Sequence, residues 1–378
     1  MMRLEEVCEF IVDCPHSTAK DEGTGYPLIR TPNIGKGRFL LDNVHRVSEN
    51  VYNKRNARAI PKDDDLIFAR EAPAGNIAII KNGEKMCLGQ RTVLLRPNKK
   101  LVNPDFLTYF LLAPEQQYGL LGTANGATVA HVNLSTIRNL KIILPSIYVQ
   151  ERIGKILCTY DDLIENNKKQ IKLLGEAAQR LYKEWFIDLH FPGYKDVDTV
   201  DGIPQGWKEG TLSDLAIFKR GKTITRAQVN EGNVPVVSGG LEPAYYHNKA
   251  NTIAPVITVS GSGANAGFAR LYNVDVFASD CSFADSKTTP YLFFVYCFVK
   301  DNKASFDALQ KGSAQPHVYA KDINALKMIV PTTNILDEFC NVVSAYFKKI
   351  KIMQSQIQLL IEARDRLLPK LMSGEIEV

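Results

Sequence analysis

Much that would mark an enzyme or a secreted protein is missing from this chain. Its seven cysteines are scattered, odd in number and never spaced C-x-x-C, which argues against a disulfide framework or a zinc site. The longest strongly apolar run, Tyr291 to Val299, is too short to span a bilayer as a helix. The opening MMRLEEVCEF lacks the charged-then-apolar form of a signal peptide. A cytoplasmic protein with reduced thiols is expected.

Catalytic motifs are lacking too. Gly261, Gly263 and Gly267 do not follow the G-x-G-x-x-G spacing, and Gly221-Lys222-Thr223 lacks the upstream glycine of a phosphate-binding loop. Asn103-Pro104-Asp105-Phe106 misses the second proline of the tetrapeptide found in adenine methyltransferases. The six histidines are dispersed, with no H-E-x-x-H. No catalytic residue, metal ligand or cofactor of its own is assigned to the chain.

What is present begins with one helix. Over Gln150 to Phe186, residues Ile153, Leu157, Tyr160, Ile164, Asn167, Ile171, Leu174, Ala178, Leu181 and Trp185 step by four and three, the seam of a coiled coil. Such a stripe needs a matching helix. Adding 186 finds one: Phe339, Val343, Tyr346, Ile350, Met353, Ile357, Leu360, Arg364, Leu367 and Leu371. The same register pairs Gly126, His131, Val132, Ile137 and Pro145 with Gly312, His317, Val318, Ile323 and Pro331. An ungapped match over roughly 60 residues indicates an internal duplication. Near the start, Leu4, Val7, Phe10, Pro27 and Ile29 answer to Leu212, Leu215, Phe218, Pro235 and Val237 at an offset of 208. The first unit is therefore the longer one, with its extra residues expected in surface loops.

The expected fold is α+β: two similar strand-rich domains joined by two long helices in an antiparallel coiled coil, related by a pseudo-two-fold. The first domain is expected over 1–145, its helix over 146–187, a linker over 188–206, the second domain over 207–331 and the closing helix over 332–378. Strands are expected at 65–69, 76–80, 92–95, 234–237, 255–260 and 291–299. Gly-rich loops, 122–128 and 312–315, lead into apolar strands closed by Pro145 and Pro331. If the helices pair symmetrically, a fragment ending near residue 206 is expected to dimerise, with Asn167 in its seam.

Lys plus Arg exceed Asp plus Glu by 19 to 15 in residues 1–145 and by 13 to 10 in 207–331, whereas the remaining stretches, 146–206 and 332–378, carry no excess. Positive charge therefore sits in the domains, which favours polyanion contact there. Candidate readers on their turns are Arg30, Asn33, Lys36, Arg38, Arg70, Asn76, Gln90 and Arg91 in the first domain. In the second they are Arg220, Lys222, Thr223, Thr225, Arg226, Gln228, Ser238, Ser260, Ser262 and Asn265. These side-chain types bind base edges and phosphates. His131 and His317 are expected to hold a loop-to-strand joint by hydrogen bonding.

The chain resembles the DNA-specificity (S) subunit of type I restriction-modification systems. The resemblance is carried by VCEFIVDCPHS, LIRTPNI, NGATVAHVNLSTIRNLKIILP, the central run from QERIGKIL to RLYKEWF, IPQGW at Ile203 to Trp207 and LLPKLMSGEI at Leu367 to Ile376. It implies a non-catalytic reader whose two target-recognition domains each take one half of a split double-stranded DNA site. It also implies that two methyltransferase subunits, bringing S-adenosylmethionine, bind the conserved helices. Restriction/translocase subunits would bring ATP and Mg²⁺. Two other readings stay open from the sequence: the specificity half of a nuclease-free split methyltransferase, and a coiled-coil scaffold with two protein-binding domains.

Overall fold

In the computed structural model, residues 2–122, 131–312 and 316–378 are described. Gly126 and most of both Gly-rich loops lie outside them. The chain forms two compact units, one comprising residues up to Asn167 with Gln356–Val378, the other Lys168–Ser355.

Each unit carries half of each long helix, because the central helix runs Ile147–Phe186 and the C-terminal helix Thr333–Ser373. Both begin shortly after a proline; Pro331 directly follows the strand Lys327–Val330, whereas the strand before Pro145 already stops at Ile142. In the first unit Asp161 meets Arg364 and Asn167 meets Gln356. Numbers rise along one helix as they fall along the other, so the pairing is antiparallel.

The first unit's main sheet has the order Cys8–Asp13, Thr92–Pro97, Leu66–Ala69, Ile77–Ile79, Lys36–Gly37. The second repeats its first four strands as Lys219–Arg220, Cys281–Asp285, Val256–Ser260, Ala269–Tyr272. A small sheet accompanies each. Tyr26–Ile29 lies between Arg46–Val47 and Cys87–Leu88, and Val234–Val237 lies between Tyr245–His247 and Phe277–Ala278, with one antiparallel and one parallel pairing in both cases. The duplication thus extends through the domains, where few residues match.

Tyr291 to Val299 is not a strand. A helix, Leu292–Asp301, occupies it, burying Leu292, Phe294, Val295, Cys297, Phe298 and Val299. A short continuous apolar run has no periodicity to separate strand from helix. The 186-residue register did hold the answer, since Pro290 falls on Pro104, which opens the helix Pro104–Leu112.

The seam is unevenly buried. Leu157, Ile164, Val343, Ile350 and Met353 are buried, while Asn167, Ile171, Leu174, Ile357 and Leu360 are half-buried. At Leu181 and Leu367, also half-buried, the neighbours Tyr182 and Leu368 take the inward place. A helix of 3.6 residues per turn drifts past a strict 3.5 repeat, so Leu181 and Leu367 turn aside while the last positions, Trp185 and Leu371, stay buried.

The second unit's core is aromatic. Phe186 lies 4.7 Å from Phe294 and 5.0 Å from Phe339, ring centre to ring centre, and Trp207 lies 5.0 Å from Phe191. The segment after the central helix is therefore more than a covalent tether. Phe191 and Trp207 are both buried in that core, because an aromatic side chain there contributes a large apolar area.

Candidate nucleic-acid interface

In the first unit the strands Leu66–Ala69 and Ile77–Ile79 are joined by a loop opening with Arg70 and Glu71. Arg70 is built into the fold. Its Nη1 donates to Asp13 Oδ2 (2.9 Å), its Nε to the Val132 carbonyl (2.9 Å) and its Nη2 to His131 Nε2 (2.8 Å). Because arginine only donates, Nε2 of His131 must accept. Nδ1 then carries the proton and donates to Glu71 Oε1 at 2.5 Å. Glu71 uses its other oxygen to hold Arg91 Nη1 at 2.6 Å. His131 therefore fastens the loop to the segment after it by hydrogen bonding, and Arg91 projects from the cluster with its side chain 53% exposed. Nearby, Thr18 donates to Gln90 Oε1 (3.0 Å), bringing the 14–19 segment to the same place.

The second unit builds the same junction from other side chains. Val132 N–H donates to the Arg70 carbonyl in one unit, and Val318 N–H to the Gly261 carbonyl in the other. Arg70 N–H donates to the Arg91 carbonyl, and Gly261 N–H to that of Asp280. By this ladder Glu71 corresponds to Ser262 and Arg91 to Asp280. Ser262 Oγ donates to Asp280 Oδ2, and Ser262 forms a bridge with His317. Lys222 N–H donates to the Ala278 carbonyl (2.9 Å) and Ile224 N–H to Ser279 Oγ (3.3 Å), so the segment from Lys222 borders this cluster. Lys222, Thr223, Thr225, Arg226 and Gln228 are exposed there, as is Arg220 on the adjoining strand. Gln228 Oε1 caps its own turn by accepting from the N–H and hydroxyl of Thr225.

Several candidates serve the scaffold. Asn33 is buried, accepts from Arg30 N–H and donates to the Leu40 carbonyl. Asn76 donates to the Ile34 carbonyl. Ser260 is buried and donates to the carbonyl of Gly239, the residue after Ser238, and Asn265 donates to that same Gly239 carbonyl. A short amide or hydroxyl on a turn satisfies the backbone of that turn as readily as a ligand. Arg38 is turned toward the central helix, with Nη2 2.6 Å from Asp162. Lys36 is exposed on the strand Lys36–Gly37, away from the cluster, and Arg30 is half-buried at the start of its turn. Of the candidate cations, Arg91 in the first unit and Arg220, Lys222 and Arg226 in the second are thus the exposed ones beside a junction, while Lys36 stands apart. The carboxylates that hold or replace them, Asp13, Glu71 and Asp280, escape a search restricted to basic and amide side chains. Laying one junction on the other reveals them.

Behind the first domain lies a buried polar group. Asp161 accepts from Tyr109 Oη (2.6 Å) and from Arg364 Nη1 (2.5 Å), and its side chain is 3% exposed. Burial and the Asp161 charge push the Tyr109 phenol far above its ordinary pKa. Burial alone would lower that of Arg364, but Asp161 more than compensates and holds it raised. At the equivalent positions the second unit has Phe347 and Ala178, both buried in apolar surroundings.

A profile described as the type I restriction modification DNA specificity domain matches residues 1–175 and 204–363. The specificity subunit of type I restriction enzyme MjaIX from Methanocaldococcus jannaschii is 28% identical over 373 residues, 90% of this chain and 84% of that protein. The HindI specificity subunit of Haemophilus influenzae is 21% identical over 439 residues, 92% of this chain and 94% of that one. The crystal structure of a type I restriction-modification S subunit from M. genitalium shares the fold, with a TM-score of 0.60 at 18% identity over 98% of this chain and 95% of that one. With the same junction built twice and the domain matched twice, this chain belongs to the type I restriction-modification DNA-specificity family.

Proposed function

We propose that the chain is a sequence-specific DNA-binding subunit, without catalysis of its own, that reads a bipartite double-stranded site. Each domain, 1–145 and 207–331, takes one half. The helices at 146–187 and 332–378 seat two methyltransferase subunits, and restriction/translocase subunits join them. S-adenosylmethionine, ATP and Mg²⁺ belong to those partners, and the complex works in the cytoplasm.

The observation that carries this reading is one junction made twice on one scaffold with different exposed side chains, the arrangement expected of two readers with different targets. Exposed Lys222 and Arg226 beside the second junction suit phosphate contact. Leu173 and Leu359, 186 residues apart, are 62% and 65% exposed on their helices, which favours two copies of one partner.

Co-expression with the methyltransferase partner and genome-wide mapping of methylated adenines tests the proposal. A motif with two specified halves around an unspecified spacer is expected. A single continuous motif, or no sequence preference, would refute it. Binding to a cognate duplex should also weaken steeply with salt, whereas a protein scaffold would show no such binding.

A further inference from the structure

The two junctions differ most sharply at one position. Counted from the strand pairing, Ala69 opposite Thr92 in the first unit corresponds to Ser260 opposite Cys281 in the second. One step outward stand Arg91 and Asp280, whose carbonyls accept the equivalent N–H groups of Arg70 and Gly261. Counted from the other side, Gly89 N–H bonds the Ile29 carbonyl and Ser279 N–H that of Val237. The first turn therefore holds one more residue, Gln90, and Arg91 takes the left-handed conformation (φ 64°).

Both side chains are held from behind. Arg91 is gripped through Nη1 by Glu71, which is itself fixed by His131. Asp280 accepts from Ser262 on Oδ2, and its Oδ1 has no hydrogen-bond partner among the described residues. Each clamp orients its group and leaves it hydrogen-bonding capacity, on an exposed side chain at Arg91 and a half-buried one at Asp280. The first junction thus offers donors where the second offers an acceptor.

On the reading that these domains bind split DNA, we infer that Arg91 and Asp280 are the specificity-determining residues at one equivalent base pair of each half-site. Arg91 reads guanine, and Asp280 reads cytosine. Guanine presents O6 and N7, two acceptors that match a guanidinium edge, while the cytosine N4 amine donates to a carboxylate. Exchange is disfavoured in both directions: a carboxylate opposite guanine sets acceptor against acceptor, and a guanidinium opposite the cytosine amine sets donor against donor.

The test uses the full chain with its methyltransferase partner, mapping methylated sites for Arg91→Ala, Arg91→Lys and Asp280→Asn. Arg91→Ala should relax one G·C position in one half-site, with a roughly ten- to hundred-fold loss of discrimination there, and leave the other half unchanged. Asp280→Asn should relax one C·G position in the other half only. An unchanged motif, relaxation at an A·T position, or both variants acting on the same half would overturn the inference. So would complete loss of modification in both Arg91 variants, which would make Arg91 a support of the junction. A wild-type chain that yields no bipartite motif would instead refute the function on which the inference rests.

Discussion

Asp161 carries its charge in a costly environment. A carboxylate this deeply buried is tolerated because Arg364 and Tyr109 both bond to it, and removing one partner of such a pair leaves an uncompensated charge. Arg364→Ala should destabilise the chain by about 3 kcal/mol, the low end for a broken buried pair, because Tyr109 still donates. Replacing both partners, Asp161→Leu with Arg364→Met, should recover most of that loss, since a packed apolar pair needs no desolvation of charge. Urea unfolding followed by circular dichroism measures both. Equal stability of the single and double variants would show that the pair does not determine stability. Neither side chain could be singled out from the helical spacing alone. Asp161 lies one residue beyond the expected seam position Tyr160, and Arg364 stood in the ladder as a lone charge.

Among the elements, the long helices respond to substitution according to which side faces the partner. Leu157 is fully buried and Leu173 is 62% exposed, although both are leucines of one helix. Leu157→Asp should cost several kcal/mol, as an unpaired charge enters an apolar core. Leu173→Asp should stay within about 0.5 kcal/mol, as surface changes do. Thermal melts decide, and similar melting of the two variants would contradict the facing described above. These helices were legible from residues alone because a 4-3 step sustained over some ten turns keeps one apolar stripe on one side of a helix and fits no strand or loop. The strands 234–237 and 92–95 were legible as short β-prone runs between turn residues, the second extending in the structure to Pro97. The helix Leu292–Asp301 was legible only through its 186-residue register with Pro104–Leu112, because its own apolar residues run on without a period. The junction side chains were legible by type but not by role. Arg70 and Arg91 look alike in sequence, yet one spends its donors inside the fold and the other reaches outward.

For the molecule as a whole, the duplication invites a half-sized version, but the polar pair opposes it. In a fragment of residues 1–206, the C-terminal helix of the first unit would be replaced by the central helix of a second copy, offset by 186. Gln170 would stand in for Gln356, so the Asn167 bond survives. Ala178 would stand in for Arg364, leaving Asp161 buried without its cation. The symmetric dimer expected from the seam should therefore form weakly, and Ala178→Arg should tighten it at least about tenfold, a gain of about 1.4 kcal/mol. Sedimentation equilibrium at micromolar protein measures this. A parent fragment that dimerises as tightly as the variant would show that Asp161 does not discriminate between partners.

The same chemistry bears on heredity. A gene made of two repeats is exposed to crossing-over between them and with its neighbours, and new pairs of readers could arise that way. Recombinants joining two first halves would bury two carboxylates without a guanidinium, and those joining two second halves would bring Arg364 against Phe347. Unlike halves give the sounder product, so Asp161 and Arg364 bias the exchange as a mating type does: recognition domains can be traded, while the pairing of either half with its own kind is disfavoured.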